Sequence, residues 1–407
     1  MVSKNRTTER FDWTLTLLLL MLFLVSCVAI YSGQASGQYG GKNFLAQQIF
    51  WYGVGAAIIA VMMRFDSDQL KKLTWILYGF GLFLLLILAV APESSLTPKI
   101  NGAQSWFSTP VGSLQPSEFM KVFLIIALSK TIQLHHEKYI NKTVKTDFIL
   151  LYKIGLVTMV PIGLVMMQPD LGTSLVMLAI MTGLIFISGI TWKILLPLYG
   201  SAIALMGTIL YFVIWAPEIL EKYLHVKSYQ FDRIYAWLDP ENNAAGYHLS
   251  NSLKAIGSGL LTGKGFGERK VYIPESHTDF IFSVIGEEYG FFGASLVIGL
   301  FFLLIYHLTK MAFETKDTYN TYLCVGVISM ITFHVFQNIG MTIQVLPITG
   351  IPLPFISYGG SSLMGNMMAM GLIYGIRYHY KGYMFSTGQN YNTNSTPSRA
   401  EKHSKSI

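Results

Sequence analysis

Charged side chains are scarce in this chain, at 13% of 407 residues, while hydrophobic types make up 52%. A soluble domain carries roughly a quarter of its residues charged, so the composition excludes a soluble globular enzyme and indicates a polytopic membrane protein. Cysteine is rarer still: there are two, Cys27 and Cys324, and both fall within apolar runs. That excludes a disulfide framework, and no His/Cys group has the spacing of a structural zinc site. Lys and Arg do not interleave with exposed aromatics, so the formal net charge of +7 calls for no nucleic acid. Basic loops beside anionic lipid account for it. An inverted repeat, the signature of many transporters, is also missing.

Long apolar runs are what the chain has in excess. Stretches of ~17 to 25 residues, enough to cross a bilayer as a helix, occur at 13–31, 44–63, 73–91, 116–132, 150–167, 171–187, 194–214, 280–308, 322–345 and 361–378. The expected fold is all-α, with ten transmembrane helices and a large extracytoplasmic loop, 216–279, between the seventh and eighth. The run at 116–132 is the weakest, being short and interrupted by Lys121. The first run exceeds the ~7 to 15 apolar residues of a signal peptide and reads as a retained helix. Arg64, Lys71, Lys72, Lys130, Lys138, Lys142, Lys145, Lys193, Lys310 and Lys316 all fall on one side of this topology, against Lys42 and Lys99 in the opposite short loops. By the positive-inside rule both termini are cytoplasmic. Three regions follow: an N-terminus at 1–12, a membrane domain at 13–380, and a tail at 381–407 whose composition suits disorder.

Ionisable groups at span edges are costly there and mark functional sites by default. The sharpest is Asp279, in His277-Thr278-Asp279-Phe280-Ile281-Phe282, where the large loop enters a span. Glu275, His277, Glu287 and Glu288 crowd it in sequence. Glu118 and Lys121 lie one helical turn apart and can pair. A first-turn Glu suits the helix dipole, but that leaves Lys121 unexplained in an apolar helix. Asp170, after Pro169, is placed as an N-cap. Trp106 and Phe107 suit a membrane interface. His135 and His136 read as a solvated pair in a cytoplasmic loop. The stretch 346–362 carries three prolines and three glycines among apolar residues, so it cannot be a spanning helix. Irregular backbone at membrane depth is tolerated only inside protein or along a wet cavity, which places this segment beside a site. In the large loop, Leu249, Leu253 and Ile256 have helical spacing, predicting an amphipathic helix at 247–256. Gly257 to Gly265 superficially resembles a nucleotide P-loop, but Gly265 stands where Ser or Thr is required.

Asn101-Gly102-Ala103, Gln115-Pro116-Ser117-Glu118, Gln168-Pro169-Asp170-Leu171-Gly172-Thr173, His277-Thr278-Asp279-Phe280-Ile281-Phe282 and Ser357-Tyr358-Gly359-Gly360-Ser361 follow one another in order. Together they resemble the SEDS family (shape, elongation, division and sporulation) from about Arg10 to Tyr380. Gln104 and Gly350-Ile351-Pro352-Leu353-Pro354 are closer to its elongation branch, RodA, than to its division branch, FtsW. The resemblance implies a bacterial peptidoglycan glycosyltransferase that polymerises lipid II outside the cytoplasmic membrane, with a class B penicillin-binding transpeptidase as partner. By motif it assigns Asp279 as the catalytic carboxylate. Glu118, Lys121, Asp170, Arg233 and Ser361 become cavity or substrate-binding residues. One departure stands out: Ser105 occupies a position that is usually Arg, so a phosphate contact expected there must come from elsewhere, with Lys99 a candidate.

The chemistry fits these residues independently. An α-linked lipid diphosphate donor and a β-linked product call for one inverting displacement. A carboxylate is the natural base for the attacking 4-hydroxyl. The departing diphosphate needs cations: Lys121, Arg233, or a carboxylate-bound magnesium or manganese ion, which the sequence neither requires nor excludes. A lipid II flippase is the alternative, since buried charge and a broken helix suit transport as well.

Overall fold

The computed structural model describes residues 11–35, 43–99, 103–109, 112–218, 228–243 and 246–383. Most of the expected N-terminal and C-terminal regions, and Asn101-Gly102 of the first motif, lie outside the described residues. The chain is mostly helical. In order come α1 (Trp13–Ala35), α2 (Phe44–Met62), α3 (Ser67–Val90), β1 (Phe107–Thr109), β2 (Gly112–Leu114), α4 (Pro116–Lys138), α5 (Val144–Met167), α6 (Leu171–Ile187) and α7 (Trp192–Trp215). Then follow α8 (Ser228–Leu238), α9 (Tyr247–Ser258), α10 (Ile281–Glu314), α11 (Thr318–Thr342) and α12 (Gly360–Tyr383). The strands form an antiparallel hairpin that pairs Phe107 with Leu114 and Ser108 with Ser113.

Every predicted apolar run coincides with a helix. Seven helices among the described residues are long and apolar enough to cross a membrane. Of the other three, α6 is apolar but only 17 residues long, whereas α4 and α12 are long enough and less apolar. α4 packs among α3, α5, α6, α11 and α12, and its residues from Met120 to Ser129 are all buried. A helix shielded from lipid by other helices needs no continuous apolar surface, so hydropathy understates it. α7 is the opposite case: it buries only Ile194, Leu195 and Val213, leaving its apolar surface outward.

Local signals set the helix ends. Asp66 and Thr143 close capping boxes at α3 and α5. α9 is the predicted amphipathic helix and lies against α10 and α11, with the Ser252 hydroxyl 2.8 Å from Thr342 O.

Two expectations are corrected. His135 is not in a solvated loop: α4 continues to Lys138, burying His135 to 3% exposure, and the ring of His136 is 2.8 Å from Ser188 O. The apolar run ended before the helix did. Nor is α10 a continuous helix. It breaks at Gly290, with φ 59° and ψ −153°, a conformation essentially reserved for glycine. The segment that resembled a P-loop fills the break. Lys264 N and Gly265 N donate to the carbonyls of Glu287 and Glu288, each at 3.0 Å. Phe291 N and Phe292 N, which a regular helix would bond to those carbonyls, donate to Leu260 O and Leu261 O at 2.9 and 3.2 Å. The glycine-rich strap thus replaces two rungs of the helix ladder, meeting the demand that buried backbone be hydrogen-bonded.

Candidate active site

All six predicted site residues line two adjoining cavities, four of them the smaller, with Asp279 and Ser361 in the larger. The smaller, about 170 Å³, is lined by Glu118, Lys121, Asp170, Arg233 and His334, among others. The larger, about 770 Å³, is lined by Asp279, Thr278, Gln47, Tyr358 and Ser361, among others. Trp106, Gln115, Gly350, Pro352 and Ser362 line both, so one wall divides two chambers.

The smaller chamber is built at helix starts. α4 begins at Pro116, and its first turns carry Glu118 and Lys121 inward, where Glu118 Oε2 and Lys121 Nζ pair at 2.7 Å. Both are almost fully buried. A third member escaped sequence reasoning: the ring of His334, on α11, lies 3.1 Å from Lys121 Nζ. The signal was present, since an ionisable residue inside a span is itself a site candidate. Asp170 is the N-cap of α6, accepting from Thr173 N at 3.0 Å and from the Thr173 hydroxyl at 2.7 Å, with Gln115 Nε2 at 2.9 Å. Its carboxylate is thus committed to local structure. Arg233, on α8, is exposed at the chamber wall.

In the larger chamber Asp279 occupies the turn that precedes α10. It is half-buried, opening to the cavity on one side with protein crowding the others. Burial first, and the nearby negative charge of Glu275 second, push its carboxyl up to about 6. No donor holds that carboxyl among the described residues, so it is free to take a proton. Its backbone, by contrast, is fixed. Asn338 Nδ2 donates to Asp279 O and to Ile351 O, both at 2.8 Å. Ser357 Oγ donates to Thr278 O at 2.7 Å, and Tyr358 N to His277 O at 2.9 Å. The Pro- and Gly-rich segment therefore clasps the Asp279 turn. Gly350, at φ 70°, would bring a Cβ 3.4 Å from Asp279 Oδ2. His277 stacks on Phe44 at 4.4 Å, and burial lowers the pKa of its imidazole from the usual value.

Three expectations change in detail. Glu287 and Glu288 do not face Asp279: they pair with Lys264 at 2.6 Å and Arg269 at 3.2 Å, holding the strap to α10. Ser361 lines the larger chamber, but its hydroxyl donates to Ser113 O and accepts from Gln115 N, each at 2.9 Å, tying the hairpin to α12. Ser105 is buried and donates to Gln168 O at 3.2 Å. Lys99 is exposed and lines neither chamber, so Lys121 and Arg233 are the cations at hand. Among the described residues no three His, Cys, Asp or Glu side chains gather as a metal-binding group. Glu118 and Asp170 are already engaged, which leaves Asp279 as the carboxylate at the chambers that no donor holds among the described residues.

A family model described as a cell cycle protein, covering FtsW, RodA and SpoVE, matches residues 9–382. Among curated relatives, stage V sporulation protein E of Bacillus subtilis is 34% identical over 89% of this chain and 95% of its own length. The peptidoglycan glycosyltransferase MrdB of Escherichia coli is 33% identical over 91% of this chain and 94% of its own. A probable peptidoglycan glycosyltransferase FtsW from Trichlorobacter lovleyi is also 33% identical, over 90% and 93%. Identity thus does not separate the branches. A solved chain from work on coordinated polymerization and crosslinking by a peptidoglycan synthase complex superposes with a TM-score of 0.74 at 27% identity, covering 91% of this chain and 98% of that one. The crystal structure of the rod shape determining protein RodA of Thermus thermophilus gives 0.64 at 27% identity, over 91% and 97%.

Proposed function

Because the chain belongs to the FtsW, RodA and SpoVE family of cell cycle proteins, we infer that it is a peptidoglycan glycosyltransferase that polymerises lipid II for cell-wall synthesis. The observation that carries this reading is Asp279: a carboxyl held near 6 at the edge of a 770 Å³ chamber, beside a second chamber containing a buried lysine. The acceptor's 4-hydroxyl approaches Asp279, which takes its proton as the new glycosidic bond forms. The donor's C1–O bond to diphosphate breaks on the opposite face, so configuration inverts. Diphosphate leaves as a stabilised anion and needs no proton. Lys121 and Arg233 balance its charge from the neighbouring chamber. Because the pair with Glu118 leaves Lys121 oriented in advance, little reorganisation accompanies the step.

The same reading sets the topology. α4, α6 and α12 complete ten spans as helices shielded by their neighbours, both termini lie in the cytoplasm, and the 216–279 loop with the two chambers faces outward. The membrane domain spans 13–380, with 1–12 and 381–407 as cytoplasmic ends. A class B penicillin-binding transpeptidase is the partner that crosslinks the strands, in keeping with the synthase complex that supplies a structural neighbour.

The test is polymerisation of lipid II by purified protein with its transpeptidase, against Asp279→Asn. Long glycan strands from the wild type alone support the assignment. Equal strands from both would remove Asp279 as the base. No strands from either, where a known polymerase works in parallel, would move the reading to a lipid II flippase.

A further inference from the structure

Arg233 is exposed and lines the 170 Å³ chamber, yet its guanidinium forms no hydrogen bond or ion pair among the described residues. Its place there is therefore set by how α8 is docked. On one side the Tyr235 hydroxyl donates to Val213 O at 2.8 Å, near the end of α7, a helix with few buried residues of its own. On the other, Trp237 and Gln344 exchange hydrogen bonds. Trp237 Nε1 donates to Gln344 O, and Gln344 Nε2 donates to Trp237 O, both at 2.9 Å. Gln344 sits in the turn that ends α11, where Val345 N donates to Gly340 O at 2.8 Å and Gln344 N to Met341 O at 3.4 Å. That is the pattern of a Schellman cap, whose left-handed residue is usually Gly and sometimes Asn. Here it is Gln344, at φ 63°. A glutamine bears a conformational cost there that glycine would not, and its side-chain bond to Trp237 is what glycine could not make. That bond joins α8 to α11, the helix that brings His334 to the same chamber.

We propose that Trp237 and Gln344 are positioning residues: their reciprocal pair is a latch that holds Arg233 at the smaller chamber, where its guanidinium meets the donor's diphosphate. The inference rests on the glycosyltransferase reading and deepens it by naming what fixes the exposed cation. Lys121 is oriented by Glu118. Arg233 has no such side-chain partner among the described residues and depends on the backbone of α8. Two hydrogen bonds closing one ring set both the separation and the orientation of α8 relative to the end of α11.

Neither latch residue lines a chamber, so two substitutions can open the latch from outside the site. Trp237→Phe keeps an aromatic ring and loses the N–H. Gln344→Asn suits the left-handed turn, but its amide is one methylene too short to reach Trp237 O. Farnesyl diphosphate is titrated onto the detergent-solubilised full-length protein, with lipid II polymerisation followed in parallel. Arg233→Gln should weaken binding about tenfold, as expected for hydrogen bonds to a charged group, and each latch variant by about threefold to tenfold. On the Arg233→Gln background a latch variant should add less than about twofold, because residues that act through one guanidinium are not additive. Losses that add in full would give the pair a structural role independent of Arg233 and overturn the proposal. Latch variants that bind as wild type does would overturn it as well. A wild type that neither polymerises lipid II nor binds the diphosphate removes the glycosyltransferase reading, and this inference with it.

A measurement on unaltered protein guards against a variant that does not fold. A latch that favours diphosphate binding must itself be favoured by bound diphosphate. The indole N–H of Trp237, followed by NMR in protein labelled with 15N-tryptophan, should therefore exchange with solvent by about threefold to tenfold more slowly at saturating farnesyl diphosphate. An unchanged exchange rate sinks the proposal.

Discussion

Lys264 Nζ meets Glu287 Oε1 at 2.6 Å, and that oxygen also accepts from Lys270 N at 2.9 Å and Val271 N at 3.2 Å. One fully buried carboxylate thus anchors the strap of the large loop to the short helical segment that begins just after Asp279. Glu288 repeats the arrangement one residue on, with Arg269 at 3.2 Å. The position of Asp279 depends on this anchor, because the segment from Ile281 to Tyr289 is cut off from the rest of α10 by the break at Gly290.

Gly290→Ala tests the break. A Cβ there would stand 2.4 Å from Gly263 N, and the backbone conformation disfavours any side chain by about 1–3 kcal/mol before that clash is counted. We expect a lower Tm and polymerisation reduced at least tenfold. Thermal unfolding in detergent and a lipid II assay read the two effects, and an unchanged Tm would show that the strap can yield.

Removing one member of the Glu118–Lys121 pair strands a buried charge, at a cost of about 3–5 kcal/mol. Glu118→Gln and Lys121→Met should each lower Tm strongly. The double variant should recover much of the stability, because two charges no longer need burial, yet remain inactive without the cation. A double-mutant cycle on Tm and on strand synthesis checks both halves.

The pH dependence follows from Asp279. A base works ionised, and its carboxyl titrates near 6, so kcat/KM should fall about tenfold per unit below that pH and level off above it. The stability sign is opposite. Burial raises the folded pKa above the unfolded value, so the favourable contribution of the protonated carboxyl is full below about pH 4 and lost as pH rises through about 6. Asp279→Asn should therefore raise Tm at pH 8 and change it little at pH 4, while abolishing polymerisation. A pH–rate profile together with Tm at the two pH values measures this, and a Tm gain independent of pH would contradict it.

Asn338→Ala removes two hydrogen bonds from a fully buried site and leaves the carbonyls of Asp279 and Ile351 without that donor. Each unmade bond costs about 1–3 kcal/mol. We expect lower Tm and a kcat loss larger than any KM change, since the Asp279 turn loosens while the binding chamber stays intact. Steady-state kinetics on lipid II decides it.

Much of this molecule was readable in one dimension, and particular residues show why. Lipid contact imposes long apolar runs, so the helices that face outward announced themselves, and the irregular stretch at 346–362 betrayed its place through its prolines. Asp279, Glu118, Lys121 and Asp170 stood out because charge is costly next to hydrocarbon. The capping of α6 by Asp170 was legible from the same local chemistry.

Tertiary structure decided what depends on which elements meet. His334 became part of the site only because α11 packs on α4, and Glu287 and Glu288, near Asp279 in sequence, turn to the strap instead. Gly257 to Gly265 has the composition of a phosphate loop but acts as the missing rungs of α10, a role that no local pattern encodes. Periodicity and hydropathy record each residue's exchange between lipid, water and protein, whereas partners across helices are chosen by packing, which sequence order does not express.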